Sequence, residues 1–356
     1  MSLNPDQNCN RLAQASSKEE LAQKNLGATG IDRLTAQATA DGSHTFFSAQ
    51  FQEAFHSNHG AKQEAIAKFV QPCQIAAKVR NKVKTGQKLK ILDVCYGLGY
   101  NTAAALETTI ATLGEISEIT QQEHNQPNLP KLTVEIFGLE SNLAVPQTAI
   151  AQNLISIWSP TVREILSAIA QAEQLADYSI KTAEFELTIV GTLLIGDARQ
   201  TIPHLSKTYQ PQKHWADAIF LDPFSPPKCP QLWTVEFLQR LANCLAIDGY
   251  LATYSCAAAV RSALLQTGLK IGSTRPVGRK SPGTIATHAN NPQRFAALTT
   301  LNQLEQGILQ TRASIPYRDP GLSDRPEQII TRRQRSQQNS ELETSSSWKR
   351  RHPFDR

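Results

Sequence analysis

The stretch LKILDVCYGLGYNT, residues 89–102, decides the fold. Its first half is an almost unbroken apolar run, as expected of a strand buried on both faces of a parallel sheet. The run ends at Asp93, and Gly97 and Gly99 follow where NTAAALETTIATL predicts a helix. Glycines at such a turn let backbone approach a ligand closely, and the helix N-terminus favours polar or anionic groups.

The G-x-G admits two ligands. A dinucleotide fingerprint, G-x-G-x-x-G, needs a third glycine where Thr102 stands, which argues against NAD or FAD. An S-adenosylmethionine site needs a glycine loop under an amino-acid moiety and no pyrophosphate cradle. A plain tight turn would also account for an isolated G-x-G.

Working outward, strands and helices alternate. LTVEIFGLE reads as the second strand, LTIVGTLLIGDA ends in the third, WADAIFLDPF gives the fourth, and YLATYS and LKIGSTRPVG follow. The intervening TVEFLQRLANCLA puts Val235, Leu238, Leu241 and Leu245 on one helical face. This alternation predicts an α/β fold: a doubly wound, mostly parallel, Rossmann-like sheet. Residues 146–180 read as helical with a break at Ser159-Pro160, and 115–131 as an exposed loop. Upstream, Asp41-Gly42 between two Thr- and Phe-containing runs predicts a hairpin, and GAKQEAIAKFVQPCQIAAKV a helix interrupted near Pro72. Residues 1–34 read as a polar arm and 35–300 as the catalytic domain. Residues 301–356 read as a basic tail whose Ser and Gln clusters predict disorder.

Each of four predicted strands ends in an acid: Asp93, Glu140, Asp197 and Asp222. Ligands of open α/β sheets bind at that edge. Glu140 suits a ribose diol and Asp197 an adenine amino group, and a sulfonium cation prefers a negative surround. Helix capping would also place acids there, though it accounts less well for all four together with the G-x-G than for any one of them.

Composition narrows the class. The net charge of +5 permits nucleic acid as a partner without demanding it. Six scattered cysteines with no C-x-x-C pair argue against structural zinc and a disulfide framework. His56 and His59 form H-x-x-H without a third ligand, so no metal is assigned. No apolar run is long enough for a membrane span and the N-terminus lacks a signal-peptide core, so the chain reads as cytoplasmic.

DGSHTFFS, FHSNHGAKQEA, DVCYGLGYNT, DPFSPPKCPQLWT and the run from Gly249 to Thr284 together resemble the MnmC-type tRNA methyltransferases, over roughly residues 35–285. The resemblance is to the stand-alone form, because nothing after residue 300 could encode the flavin-dependent oxidase fused in some members. One departure is Pro223, where a small residue is expected. The resemblance implies the Rossmann-like class I S-adenosylmethionine-dependent methyltransferase fold, and methyl transfer from S-adenosylmethionine to the aminomethyl group of 5-aminomethyl-2-thiouridine at the wobble position. The partner would be a tRNA anticodon stem-loop, with no membrane and no stable protein partner.

Methyl transfer to an amine needs an unprotonated nitrogen aimed at the sulfonium methyl. Asp222 is the expected catalytic residue: it can accept an N–H hydrogen bond, orient the amine and offset the charge that develops on nitrogen. Phe224 could stack on an extruded uracil, and Lys228 and Arg279 are candidate phosphate contacts. Asp93, Gly97, Gly99, Glu140 and Asp197 are the expected cofactor residues, with Glu64 reaching the methionine end. The rival readings are methylation of adenine amines in nucleic acid, a non-catalytic cofactor- or RNA-binding module, and a dehydrogenase.

Overall fold

The computed structural model describes residues 34–123, 129–172, 176–208, 213–277, 281–290 and 298–352. The expected hairpin is present: β1 (Leu34–Ala38) pairs antiparallel with β2 (His44–Ser48), and a short β3 (Glu53–Ala54) extends this small sheet. Helix α1 (Ala61–Glu64) runs into a π-helical turn (Ala65–Val70). After a break containing Pro72, α2 (Ile75–Thr85) resumes.

The motif strand is β4 (Leu89–Val94), and α3 (Tyr100–Glu123) follows the glycine loop. Next come β5 (Lys131–Glu140), α4 (Ala144–Ala151), α5 (Pro160–Gln171), β6 (Ala176–Lys181), β7 (Glu186–Ile195) and α6 (Ala198–Thr208). The chain continues through β8 (Ala216–Leu221), α7 (Val235–Cys244), β9 (Leu245–Thr253), α8 (Ala258–Gln266), β10 (Leu269–Ser273) and β11 (Thr284–His288).

The main sheet has the order β10-β11-β9-β8-β4-β5-β7-β6. From β9 to β7 the neighbours run parallel, and antiparallel pairs close both edges. The chain leaves β4 towards β5 and later returns to its other side at β8. That reversal opens a crevice beyond the carboxyl ends of β4, β5 and β8, the usual ligand position in such sheets.

Residue alternation in the central strands builds two cores. Ile91, Ile136, Ala218 and Phe220 face the layer of α3 and α5, while Leu92, Phe137, Ile219 and Leu221 face α6, α7 and α8. Strand β8 is buried at every position, which is why it reads as a continuous apolar run. Burying one such Phe or Leu contributes roughly 1.5–3 kcal/mol.

The structure departs from expectation in four places. Helix α3 extends to Glu123, so much of the segment read as a loop is helical. Strand β6 lies at the end of a region read as helical, and β11 was not foreseen. The segment read as a disordered tail forms α9 (Gln303–Ile308), α10 (Pro326–Gln338) and α11 (Ser345–Arg351). It buries Tyr317, Asp319, Leu322 and Ile329 against the α/β body, so long-range packing orders what local composition did not. The N-terminal arm, residue 34 apart, lies outside the described residues.

Candidate active site

Four strand ends are laced together at the crevice. The backbone N–H groups of Cys95 and Tyr96 donate to the carbonyl of Leu139, each at 3.0 Å. Asp222 N–H donates to Val94 O at 3.1 Å, and Gly196 N–H to Glu140 O at 2.9 Å. The β4–α3 loop turns through positive φ at Cys95 (67°), Gly97 (56°) and Gly99 (80°). At Gly99 a Cβ would lie 2.7 Å from the Tyr96 hydroxyl, so glycine is required there twice over.

This loop borders a cavity of about 580 Å³. Its walls include Gly97, Asn101, Glu140, Asp197, Asp222 and Phe224. Glu140 is fixed within it: Oε2 accepts from Gly97 N–H at 2.9 Å, and Oε1 from Asn142 N–H at 3.0 Å and the Ser141 hydroxyl at 3.2 Å. Burial raises its pKa against those three donors. Asp197, at the end of the neighbouring strand β7, also lines the cavity, with its carboxylate gripped by Arg199.

Asp93 is fully buried and does not reach the wall. Its Oδ2 accepts the Thr102 hydroxyl at 2.7 Å, while Oδ1 has no hydrogen-bond partner among the described residues. Burial pushes its carboxyl up to about 7, and the carboxylates of Asp222 and Glu140 add to the effect. Asp93 thus anchors the loop from beneath, and Thr102, which breaks the dinucleotide fingerprint, serves as its donor.

Asp222 stands between the large cavity and a small adjoining pocket of about 30 Å³, and lines both. Its Oδ2 accepts from Asn101 Nδ2 at 3.0 Å. Burial pushes its pKa up to about 7; Asn101 opposes this, Glu64 adds to it and Lys68 opposes it. The loop beyond is held rigidly. Tyr254 OH donates to Pro223 O at 2.9 Å, Trp233 Nε1–H to Phe224 O at 2.9 Å, and Ser225 N–H to Glu53 Oε2 at 3.0 Å. Trp233 is therefore a packing residue, fully buried.

Glu64 is placed differently from expectation. It lines the small pocket and not the large cavity. Lys68 Nζ lies 2.8 Å from its Oε1, and the Ser57 hydroxyl donates to it at 2.6 Å. Burial would raise this carboxyl, but the Lys68 and Ser57 hydrogen bonds outweigh it and hold the pKa low. The reason is local: an i,i+4 pair on the α1–π helix gives Glu64 its own cation.

Phe224 lines both pockets, but Phe51 already stacks on it, with centroids 4.2 Å apart and planes at 18°. Lys228 is exposed and lines neither pocket. Arg279 lies outside the described residues. Gly99 shapes the loop without facing the cavity. Sequence reasoning missed Asn101 and Lys68. The spacing of Lys68 from Glu64 was a readable signal, whereas nothing local marked Asn101 as a partner of Asp222. His56, on the walls of both pockets, is pushed down to about 4 by burial and stays neutral near pH 7. No group of three or more His, Cys, Asp or Glu among the described residues has the geometry of a metal site.

A glycine-lined crevice at the switch point, a fixed carboxylate on the β5 end and a half-buried acid on the β8 end suit S-adenosylmethionine, and the fold is that of the S-adenosylmethionine-dependent methyltransferases. The family model of that description matches residues 153–289. Within the class, the chain is similar to the MnmC-type methyltransferases. It superposes on the crystal structure of MnmC2 from Aquifex aeolicus with a TM-score of 0.66 and 28% identity, over 93% of this chain and 99% of that one. It is 27% identical over 72% of its length to the tRNA 5-methylaminomethyl-2-thiouridine biosynthesis bifunctional protein MnmC of Ralstonia nicotianae. It covers 35% of that protein, so it spans about a third of the bifunctional relative. An uncharacterized protein of Methanocaldococcus jannaschii is 28% identical over 83% of this chain and 70% of its own length. Among the described residues no helix is long and apolar enough to cross a membrane.

Proposed function

We propose that this methyltransferase acts on the aminomethyl nitrogen of 5-aminomethyl-2-thiouridine at the wobble position of tRNA, giving 5-methylaminomethyl-2-thiouridine. The observation that carries the reading is the position of Asp222, half-buried between the large cavity and a small adjoining pocket, with its pKa pushed up to about 7 by desolvation. Likeness to the MnmC proteins supplies the choice of amine.

The larger cavity takes S-adenosylmethionine, which supplies an electrophilic methyl group. Glu140 would accept the ribose hydroxyls, Asp197 would face the adenine end, and the Gly97 loop would pass under the amino-acid end. The substrate enters as an ammonium ion with a pKa of roughly 10. It must lose one proton before its lone pair forms the new C–N bond while the C–S bond breaks. A carboxylate with a pKa near neutrality is suited to accept that proton and to orient the amine. The product is a secondary ammonium and a neutral thioether. Phe224 and Phe51 offer the aromatic surface against which an unstacked uracil would pack.

The test is methylation with labelled S-adenosylmethionine of tRNA that carries the unmethylated aminomethyl-uridine, followed by digestion and identification of the labelled nucleoside by mass. Label in methylaminomethyl-2-thiouridine supports the reading. Label in adenine, or none beside measurable cofactor binding, refutes it.

A further inference from the structure

The C-terminal segment reaches back to both walls of the cofactor cavity. On the α6 side, Arg199 Nη1 donates to Asp319 Oδ2 at 2.7 Å and to the carbonyl of Asp324 at 2.9 Å. Beside it, Gln200 Nε2 donates to Leu322 O at 3.0 Å. On the α7 side, Val235 N–H donates to Tyr317 O at 3.1 Å, and Asp319 N–H donates to Glu236 Oε2 at 2.8 Å. Gln231 and Leu232, just before Val235, are cavity wall, as is Asp197, two residues before Arg199.

Arg199 joins the buried anchor to the wall. Its Nε lies 3.1 and 3.0 Å from the two carboxylate oxygens of Asp197, and its Nη2 lies 2.6 Å from Oδ2. The Asp197 side chain is 40% exposed, whereas those of Arg199 and Asp319 are 11% and 0% exposed. An acid so open to solvent would sample several rotamers if it stood alone. A planar guanidinium forked onto both oxygens fixes one of them, and this grip is only as rigid as the far side of the guanidinium. Asp319 holds that far side. Its other oxygen accepts the backbone N–H groups of Ser323 and Asp324 at 3.1 and 3.2 Å, so it has no freedom to follow Arg199 away.

We propose that Arg199 is a positioning residue through which Asp319 of the C-terminal segment holds Asp197 against the cavity, and that this relay sets the affinity for S-adenosylmethionine. The inference rests on the cavity being the cofactor site and is independent of the RNA substrate.

The test is calorimetric titration of the full chain with S-adenosylmethionine and with S-adenosylhomocysteine, for wild type, Asp197→Asn, Asp319→Asn and the double variant, with Tm recorded for each. Groups acting through one relay are non-additive. The Asp319→Asn variant is expected to raise Kd about tenfold, and to add less than about twofold once Asp197→Asn is present. A lowered Tm with unchanged Kd, or losses that multiply in the double variant, overturns the inference and leaves Asp319 a purely structural residue. Should Asp319→Asn fail to fold, Arg199→Lys replaces it. Lysine keeps the charge but cannot fork between two acids, so Kd should again rise about tenfold, and an unchanged Kd overturns the relay. Wild-type protein that binds neither ligand would refute the cofactor assignment itself.

Discussion

Asn101 Nδ2 donates to Asp222 Oδ2 at 3.0 Å, which joins the start of α3 to the end of β8 across the mouth of the glycine loop. This hydrogen bond stabilises the ionised carboxylate and opposes the burial that raises its pKa to about 7. Removing it with Asn101→Ala should raise that pKa further. Activity requires the ionised form, so the acid limb of the single-turnover rate should move to higher pH, by about one pH unit. Wild type and variant share the titration of the substrate amine, so the difference between their profiles reports Asp222. An unmoved limb would remove Asp222 from the ionisations that govern the rate.

Glu140 holds three hydrogen bonds with two oxygens, two of them from backbone N–H groups. Glutamine can keep an acceptor towards only one side and would direct an NH₂ at the other. Glu140→Gln should therefore weaken S-adenosylmethionine binding by about tenfold or more through the lost acceptor and the disturbed Gly97 loop. Equilibrium binding measures this directly, and a Kd within twofold of wild type would argue against Glu140 as the ribose acceptor.

Asp93 makes stability depend on pH. Its carboxyl sits at about 7 in the folded protein against 3.8 when unperturbed, with burial the largest cause. A raised folded pKa means that its contribution to stability is complete below the unfolded value and is lost as pH rises towards the folded one. The Asp93→Asn variant carries no charge at either pH. It should therefore gain stability relative to wild type as pH rises from about 4 to about 7, a gain to be read as the difference in Tm between the two proteins across that range. A difference that stays flat would show that the buried acid pays no ionisation penalty.

Much of the site was legible because its signals are local. The apolar run ending at Asp93, the paired glycines and the stiff segment beyond Asp222 lie within a few residues of one another. Strands buried on both faces declare themselves as continuous apolar stretches, and β4, β5 and β8 did so. Edge strand β6 did not: its sequence, ADYSIK, is polar at alternate positions and packs on one side only. The C-terminal segment was misread for a related reason. Helix α10 buries Ile329 alone, and the segment is tied to the body by ion pairs such as Arg199–Asp319, whose partners lie far apart in sequence. The place of Glu64 in the small pocket was not legible, because it depends on Lys68 and on the position of Asp222, and no sequence spacing reports the latter.

The most direct measurement compares wild type with Asp222→Asn, a change that keeps the shape and removes the charge. Each protein is preloaded with labelled S-adenosylmethionine and mixed with tRNA bearing the unmethylated aminomethyl-uridine, and methyl transfer is followed in a single turnover. The expected result is a Kd for the cofactor within about threefold of wild type, with transfer slowed by about 10²-fold or more. Transfer at a near wild-type rate, or a loss of rate matched by an equal loss of cofactor binding, would show that Asp222 does not handle the reacting amine.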